Sequence, residues 1–262
     1  VYDILSAYRR RKKYYRMKNG DFVRIEDNGM AILSELSQGL NLSREELSEG
    51  RLSIPKYRTS YIDSVLKNHS GEVEIKRSTS FRQLIRNMRE YADSDYEVPE
   101  KLNAKLRGYQ KDGYRWLCTL AGWGFGGILA DDMGLGKTVQ MLAFLLREKK
   151  HALIVCPASL VYNWASEANR FAPDLSVAVI AGSGESRKNE LAEGASANLV
   201  ITSYDLLKRD IEEYKEHTFD YMIIDEAQYI KNAGTQAAKA VKAVRAGVHF
   251  ALTGTPIENR LG

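Results

Sequence analysis

Two kinds of hydrophobic pattern divide the chain. From about residue 105 onward, short β-rich runs alternate with stretches of helical periodicity. Gly127–Ala130, Ala152–Cys156, Val177–Ile180, Leu199–Thr202, Tyr221–Asp225 and His249–Leu252 predict strands. Most are apolar throughout, as expected where both faces of a sheet are covered. Thr138–Lys149, Leu160–Phe171, Tyr204–Tyr214 and Thr235–Arg245 predict the intervening helices. This alternation implies right-handed βαβ crossovers and a mostly parallel sheet, whose ligands bind outside the carboxyl ends of the strands.

Residues 1–98 lack that rhythm and read as a small α+β domain. Lys13–Met17 and Asp21–Glu26 flank Lys18-Asn19-Gly20, whose Asn-Gly pair signals a hairpin. Ser43-Arg44-Glu45-Glu46 and Ser80-Phe81-Arg82-Gln83 fit capping boxes. The second opens a segment with Phe81, Leu84, Ile85 and Met88 on one helical face. A polar, Pro-containing stretch, Tyr91–Lys105, follows, and the domain boundary is placed near residue 98. Residues 99–262 then form the α/β sheet domain.

Composition narrows the class without naming a function. With 262 residues, 44% hydrophobic and 27% charged, the chain has the makings of one large or two smaller cores. The net charge of +4 is mild, but its distribution is uneven. Arg9, Arg10, Arg11, Lys12, Lys13, Arg16, Lys18 and Arg24 face only Asp3 and Asp21 within residues 1–24. Cys118 and Cys156 lie in apolar surroundings, which predicts buried free thiols in a reducing, cytoplasmic setting. No unbroken apolar stretch is long enough to span a membrane, so no membrane partner is expected. The chain begins at Val1 and stops in mid-pattern at Gly262, which reads as a segment of something longer.

Two loops carry chemistry. Residues 128–140, ILADDMGLGKTVQ, place Met133-Gly134-Leu135-Gly136 between a strand and a helix. Such a loop aims backbone N–H groups and a helix N-terminus at an anion. Lys137 then reaches the β- and γ-phosphates of a nucleotide, and the Thr138 hydroxyl holds Mg²⁺. Asp131 stands where the general phosphate-loop pattern has its first glycine. The run Tyr221–Gln228 is an apolar strand ending in Asp225-Glu226. Two acids there are either solvated turn residues or a nucleotide site's metal ligand and base: Asp225 for Mg²⁺, Glu226 for the attacking water.

In this order the blocks resemble the Swi/Snf-like ATPases of helicase superfamily two, and specifically the first RecA-like lobe of their motor. Leu106–Gln110 resembles the adenine-reading Q motif, Asp131–Thr138 motif I, Cys156–Trp164 (CPASLVYNW) motif Ia and Val200–Leu207 (VITSYDLL) motif Ib. Asp225–Gln228 (DEAQ) resembles motif II and Leu252–Asn259 (LTGTPIEN) motif III. The acid at Asp131 agrees with this family's version of the loop, and DEAQ with bacterial members. The fold implied is a RecA-like P-loop domain behind a helicase-associated α+β domain.

The resemblance implies roles residue by residue. Arg107 and Gln110 would sit at the adenine, although Gln110 beside Lys111 and Asp112 is equally a solvated helix residue. Pro157, Ser159, Thr202 and Ser203 would contact a nucleic-acid backbone, with the ending of a strand and the capping of a helix as alternatives. Thr253, Gly254 and Thr255 would couple that surface to the phosphate site. Trp116 and Trp164 are read as packing groups. The run Tyr8–Arg16 mixes cations with aromatics and fits either a nucleic-acid contact or a hairpin edge protected by charge.

The implied activity is that of a DNA-dependent ATPase and double-stranded DNA translocase, cytoplasmic or nucleoid-associated, using ATP and Mg²⁺. A second RecA-like lobe is expected beyond this chain and should supply transition-state arginines, so slow or no turnover is expected here. Two alternatives stand beside it: an RNA helicase of the same superfamily, and an ATP-switched module that remodels a protein partner such as RNA polymerase.

Overall fold

The computed structural model describes residues 2–17, 19–25, 29–49, 52–69, 74–92 and 95–254. They form two compact units, Val1–Arg89 and Glu90–Gly262.

In the first unit, helix α1 (Tyr2–Arg9) precedes the hairpin strands β1 (Tyr14–Arg16) and β2 (Phe22–Arg24), followed by α2 (Met30–Gly39) and α3 (Arg44–Glu49). Helices α4 (Thr59–Asn68) and α5 (Thr79–Ala92) complete it. The Asn19-Gly20 turn is closed by Met17 N–H on the Asp21 carbonyl at 2.7 Å. Gly20 takes φ +96° there, a value that glycine adopts without strain.

The first expected capping box forms, with Ser43 Oγ accepting from Glu46 N at 3.2 Å and Glu46 Oε2 accepting from Ser43 N at 2.8 Å. The second shifts. Ser78 Oγ accepts from Phe81 N at 3.2 Å, so the cap falls two residues before the expected one, α5 begins at Thr79 and Ser80 lies inside the helix. Leu5, Ile32, Leu47, Val65 and Met88 are buried in this unit. Among them sits the Asp63 carboxylate, which receives Lys67, Arg77 and Arg89.

The second unit is a six-stranded parallel sheet. Its strands are β3 (Gly127–Leu129), β4 (Ala152–Cys156), β5 (Val177–Val179), β6 (Leu199–Ser203), β7 (Thr218–Ile224) and β8 (Arg245–Leu252), in the order β3-β8-β7-β4-β6-β5. The helices are α6 (Gly108–Gly122), α7 (Lys137–Glu148), α8 (Val161–Phe171), α9 (Gly184–Glu193), α10 (Tyr204–Arg209), α11 (Ile211–Lys215) and α12 (Gln236–Ala243). Strand β4 shows why it is apolar throughout. Its alternate residues Ala152, Ile154 and Cys156 join one core with Phe144 and Trp164, while Leu153 and Val155 join the other with Leu207 and Tyr214. Both cysteines are free and buried, and burial pushes the thiols up to about 11 for Cys118 and about 12 for Cys156.

The helix expected over Tyr204–Tyr214 is broken at Asp210. That carboxylate receives the buried Arg187, whose Nη2 lies 2.8 Å from Oδ1. The helix expected to reach Arg245 ends at Ala243, because β8 begins at Arg245, earlier than the sequence pattern indicates. Helix α9, GESRKNELAE, is too polar for its periodicity to register; Ser183 caps it, and Leu191 and Arg187 are its buried residues. Residues 95–106 are not a free linker. Tyr96, Leu102 and Leu106 enter the sheet unit's core, and Tyr114 Oη donates to the Glu97 carbonyl at 2.7 Å. By its contacts the chain divides into compact units after Arg89, so residues 95–106 pack with the sheet unit.

Candidate nucleotide site

The segments that follow strands β3, β4 and β7 meet at one cleft of about 400 Å³. Met133, Gly134, Gly136, Lys137, Thr138, Asp225 and Glu226 line it, opposite Leu160, Asn163, Trp164, Glu167 and Phe171. Gly134 and Gly136 have φ +82° and +78°. The left-handed turn at Gly136 sends the chain directly into α7, whose first amides have no acceptor within the helix. Lys137 Nζ donates to the carbonyls of Asp131 at 2.7 Å and Asp132 at 3.2 Å, so the loop's own backbone aims the ammonium. Gln140 Nε2 holds the Asp131 carboxylate at 2.9 Å from inside α7. An acid at position 131 thus replaces the expected glycine by bracing the loop.

Asp225 directly follows β7 and is 9% exposed. Trp164 Nε1 donates to its Oδ2 at 2.8 Å, Glu226 N to its Oδ1 at 2.9 Å, and Tyr204 Oη to its backbone carbonyl at 2.6 Å. Burial pushes this carboxyl above the usual aspartate range, against the two hydrogen bonds that pull it down. An anion in so dry a place is suited to a divalent cation. The donor set is compatible with one: Asp225 and Thr138, an oxygen pair of the kind Mg²⁺ takes alongside phosphate oxygens. Among the described residues, no group of three or more His, Cys, Asp or Glu could form an all-protein metal cage.

Glu226 adopts φ +49°, an unusual conformation for a residue with a side chain. Gln228 Nε2 donates to Glu226 Oε2 at 2.6 Å, and Thr253 Oγ1 donates to Gln228 Oε1 at 3.0 Å. These bonds tie the end of β8 to the carboxylate beside the cleft. A Cβ on Gly254 would meet Met133 Cγ at 3.1 Å, so this glycine lets the end of β8 pass close to the phosphate loop. Thr255 lies outside the described residues.

The structure gathers only part of the expected set. Arg107, Gln110 and Leu135 do not line the cleft. Gln110 Oε1 accepts from Arg107 N at 2.9 Å and its Nε2 donates to the Leu135 carbonyl at 3.0 Å, so the amide joins the start of α6 to the glycine loop. Arg107 contributes its backbone, and its side chain is exposed. Thr202 and Ser203 are fully enclosed, at 0% and 2% exposure. Thr202 Oγ1 donates to the Ile180 carbonyl at 3.2 Å, and Ser203 Oγ caps α10 by accepting from Leu206 N at 3.3 Å. Those hydroxyls do the structural work that was the alternative, and neither is presented to a nucleic-acid backbone. Pro157 is buried before the short 3₁₀ turn Ala158–Leu160, whereas Ser159 is exposed. Trp164, read as a packing group, is a hydrogen-bond donor to Asp225. Only its place in the CPASLVYNW block hinted at a part in the site.

Comparison with known proteins decides the family. The SNF2-related domain matches residues 109–262, and the bacterial SNF2 helicase-associated domain matches residues 1–99. The chain belongs to the SNF2 family. A Bacillus subtilis protein named as an ATP-dependent helicase/translocase, YwqA, is 41% identical over 197 residues, which are 72% of this chain and 21% of that protein. An uncharacterized ATP-dependent helicase of Mycoplasma pneumoniae is 39% identical over 227 residues, 83% of this chain and 22% of its own length. This SNF2 chain therefore spans about a fifth of those relatives. The SWI2/SNF2 ATPase core of Sulfolobus solfataricus, solved in complex with dsDNA, matches with a TM-score of 0.56 at 40% identity. The match covers 63% of this chain and 36% of that one. The RecA-like sheet is thus the SNF2 ATPase core's, with the small antiparallel hairpin in the N-terminal unit. Among the described residues no helix is long and apolar enough to cross a membrane.

Proposed function

We propose that this chain is the ATP-binding half of a DNA-dependent ATPase that translocates on double-stranded DNA in the cytoplasm or on the nucleoid. One observation carries the reading: Lys137, Thr138, Asp225 and Glu226, from two separate loops, line a single cleft at the carboxyl ends of a parallel sheet. The amides that open α7 cradle phosphate oxygens, and Lys137 pairs with the β- and γ-phosphates. Thr138 and Asp225 hold Mg²⁺, which supplies charge neutralisation at the phosphates. Glu226 orients and deprotonates the attacking water, and Gln228 keeps its carboxylate in place. The bond from Thr253 to Gln228 gives motif III a direct handle on that base, suited to coupling hydrolysis to a nucleic-acid contact.

Duplex DNA as the track is supported by the Sulfolobus core, whose structure holds dsDNA. On this chain the exposed Ser159 remains the candidate backbone contact among the four residues considered. A second RecA-like lobe would complete the site with arginines, each such group being worth about 10³–10⁵ in rate.

The test is ATP turnover of this chain alone and joined to a second lobe, with duplex DNA, single-stranded DNA, RNA or no nucleic acid, and Lys137→Ala as the control. Turnover that needs the second lobe and is stimulated most by duplex DNA is expected. Greatest stimulation by RNA would turn the reading to the RNA helicase, and indifference to every nucleic acid to a switch acting on a protein partner.

A further inference from the structure

The N-terminal unit carries a surface that the nucleotide site does not use. Along the β1/β2 hairpin, Tyr15 and Val23 are half-buried, while Tyr14, Arg16, Phe22 and Arg24 are exposed. The register sets Tyr14 opposite Arg24 and Arg16 opposite Phe22, so each ring on that face has an arginine across from it. The Arg16 guanidinium lies 5.8 Å from the Phe22 ring centroid. Tyr14 is 58% and Phe22 69% exposed. Tyr14 and Phe22 are diagonal neighbours across the pair, positions that paired strands hold about 7–8 Å apart.

One step beyond the ladder, Ile25 N donates to the Lys13 carbonyl at 2.9 Å. There the hairpin meets a cleft of about 570 Å³ lined by Arg9, Arg11, Lys12, Lys13, Ser34 and Gln38 among others. Arg9 is held by Ser34 Oγ at 3.1 Å, whereas Arg11, Lys12 and Lys13 form no ion pair among the described residues. Arg11 itself turns the chain from α1 into β1 at φ +54°. Charge alone would be enough to discourage strand pairing at a hairpin edge. That role does not call for two large rings on the open face, and exposed apolar area of this kind marks a binding surface.

We propose that the hairpin face and the cleft at its open end bind single-stranded nucleic acid. Bases stack on Tyr14 and Phe22, and phosphates are drawn to Arg16, Arg24, Lys12 and Lys13. The rings decide between single and double strands: a duplex offers this face only its phosphates, whereas an unpaired base offers a π-face to an exposed ring.

Fluorescence anisotropy of the whole chain with labelled oligo-dT, and with a duplex of the same length, tests the assignment. Tyr14→Ala/Phe22→Ala should weaken oligo-dT binding by about 5- to 150-fold per ring that stacks, while duplex affinity stays unchanged. Lys12→Gln/Lys13→Gln should weaken both ligands and flatten the salt dependence. An unchanged thermal transition and unchanged nucleotide affinity show that each variant is folded. The assignment is overturned if the chain does not bind oligo-dT, or if the ring variant binds it as tightly as wild type. Equal losses for oligo-dT and duplex overturn it too, as does a change of oligomeric state with no change in oligo-dT binding, which would mark a protein-docking face instead.

Discussion

Replacing Trp164 by Phe isolates the bond that fixes Asp225. The indole is 2% exposed and donates from Nε1 to Asp225 Oδ2 at 2.8 Å. Phenylalanine keeps most of the ring packing and loses the donor, so two separable losses follow. The missing ring atoms leave a small cavity, whose cost does not depend on pH. Loss of the donor matters only while the carboxylate is ionised, and a hydrogen bond to a charged group contributes about 1.5–3 kcal/mol. The Asp225 pKa should therefore rise further above its usual range.

The sign follows from burial, which already holds this carboxyl above its usual value. The folded state therefore binds the proton more tightly than the unfolded chain, and Asp225 favours folding at low pH and opposes it as pH rises through the folded pKa. The variant lifts that pKa further. Its deficit against wild type should be smallest where Asp225 is protonated in both proteins and should grow by about 1.5–3 kcal/mol where it is ionised in both. Denaturant unfolding of both proteins in EDTA, from about pH 4.5 to about pH 8, measures this directly, because other titrating groups cancel in the difference. A deficit that is the same across the range would refute the argument and leave Trp164 as a packing residue.

Other perturbations test the rest of the site. Lys137→Ala removes the ammonium held by the Asp131 and Asp132 carbonyls, and should abolish Mg·ATP binding in a fluorescence titration while lowering stability by no more than about 3 kcal/mol. Gln228→Ala frees Glu226 and Thr253 from one another; in a protein that turns over, kcat should fall by about 10–100-fold with KM for ATP little changed. A parallel loss in KM would instead place Gln228 in nucleotide binding. Gly136→Ala puts a Cβ 2.6 Å from Gln110 Nε2 at φ +78°, and should cost at least about 1–2 kcal/mol in denaturant unfolding and weaken nucleotide binding together.

Much of the sheet unit was legible because its signals are local. A strand covered on both faces must be apolar at every position, as Ala152–Cys156 is, and the phosphate loop needs glycines at fixed offsets from the helix it opens. Tyr221–Asp225 and Asp131–Thr138 could therefore be picked out as a strand end and a glycine loop. Helix α9 was not visible, since it is held by a Ser183 cap and the buried Arg187 rather than by an apolar stripe. Thr202 and Ser203 misled for a related reason: a hydroxyl after a strand looks the same in sequence whether it meets solvent or a neighbouring carbonyl.

The sequence by itself thus determined the parallel α/β architecture and the positions of the glycine loop and the acidic strand end, because each is written in the spacing of residues along one stretch of chain; the family came from the resemblance of its ordered motif blocks. Tertiary structure decided which side chains serve those loops. Gln110 bracing Leu135, Trp164 fixing Asp225 and Thr253 holding Glu226 through Gln228 all join residues far apart in the chain. Each bond depends on which strand ends the sheet order brings together, and with one sequence the local pattern carries no record of that order.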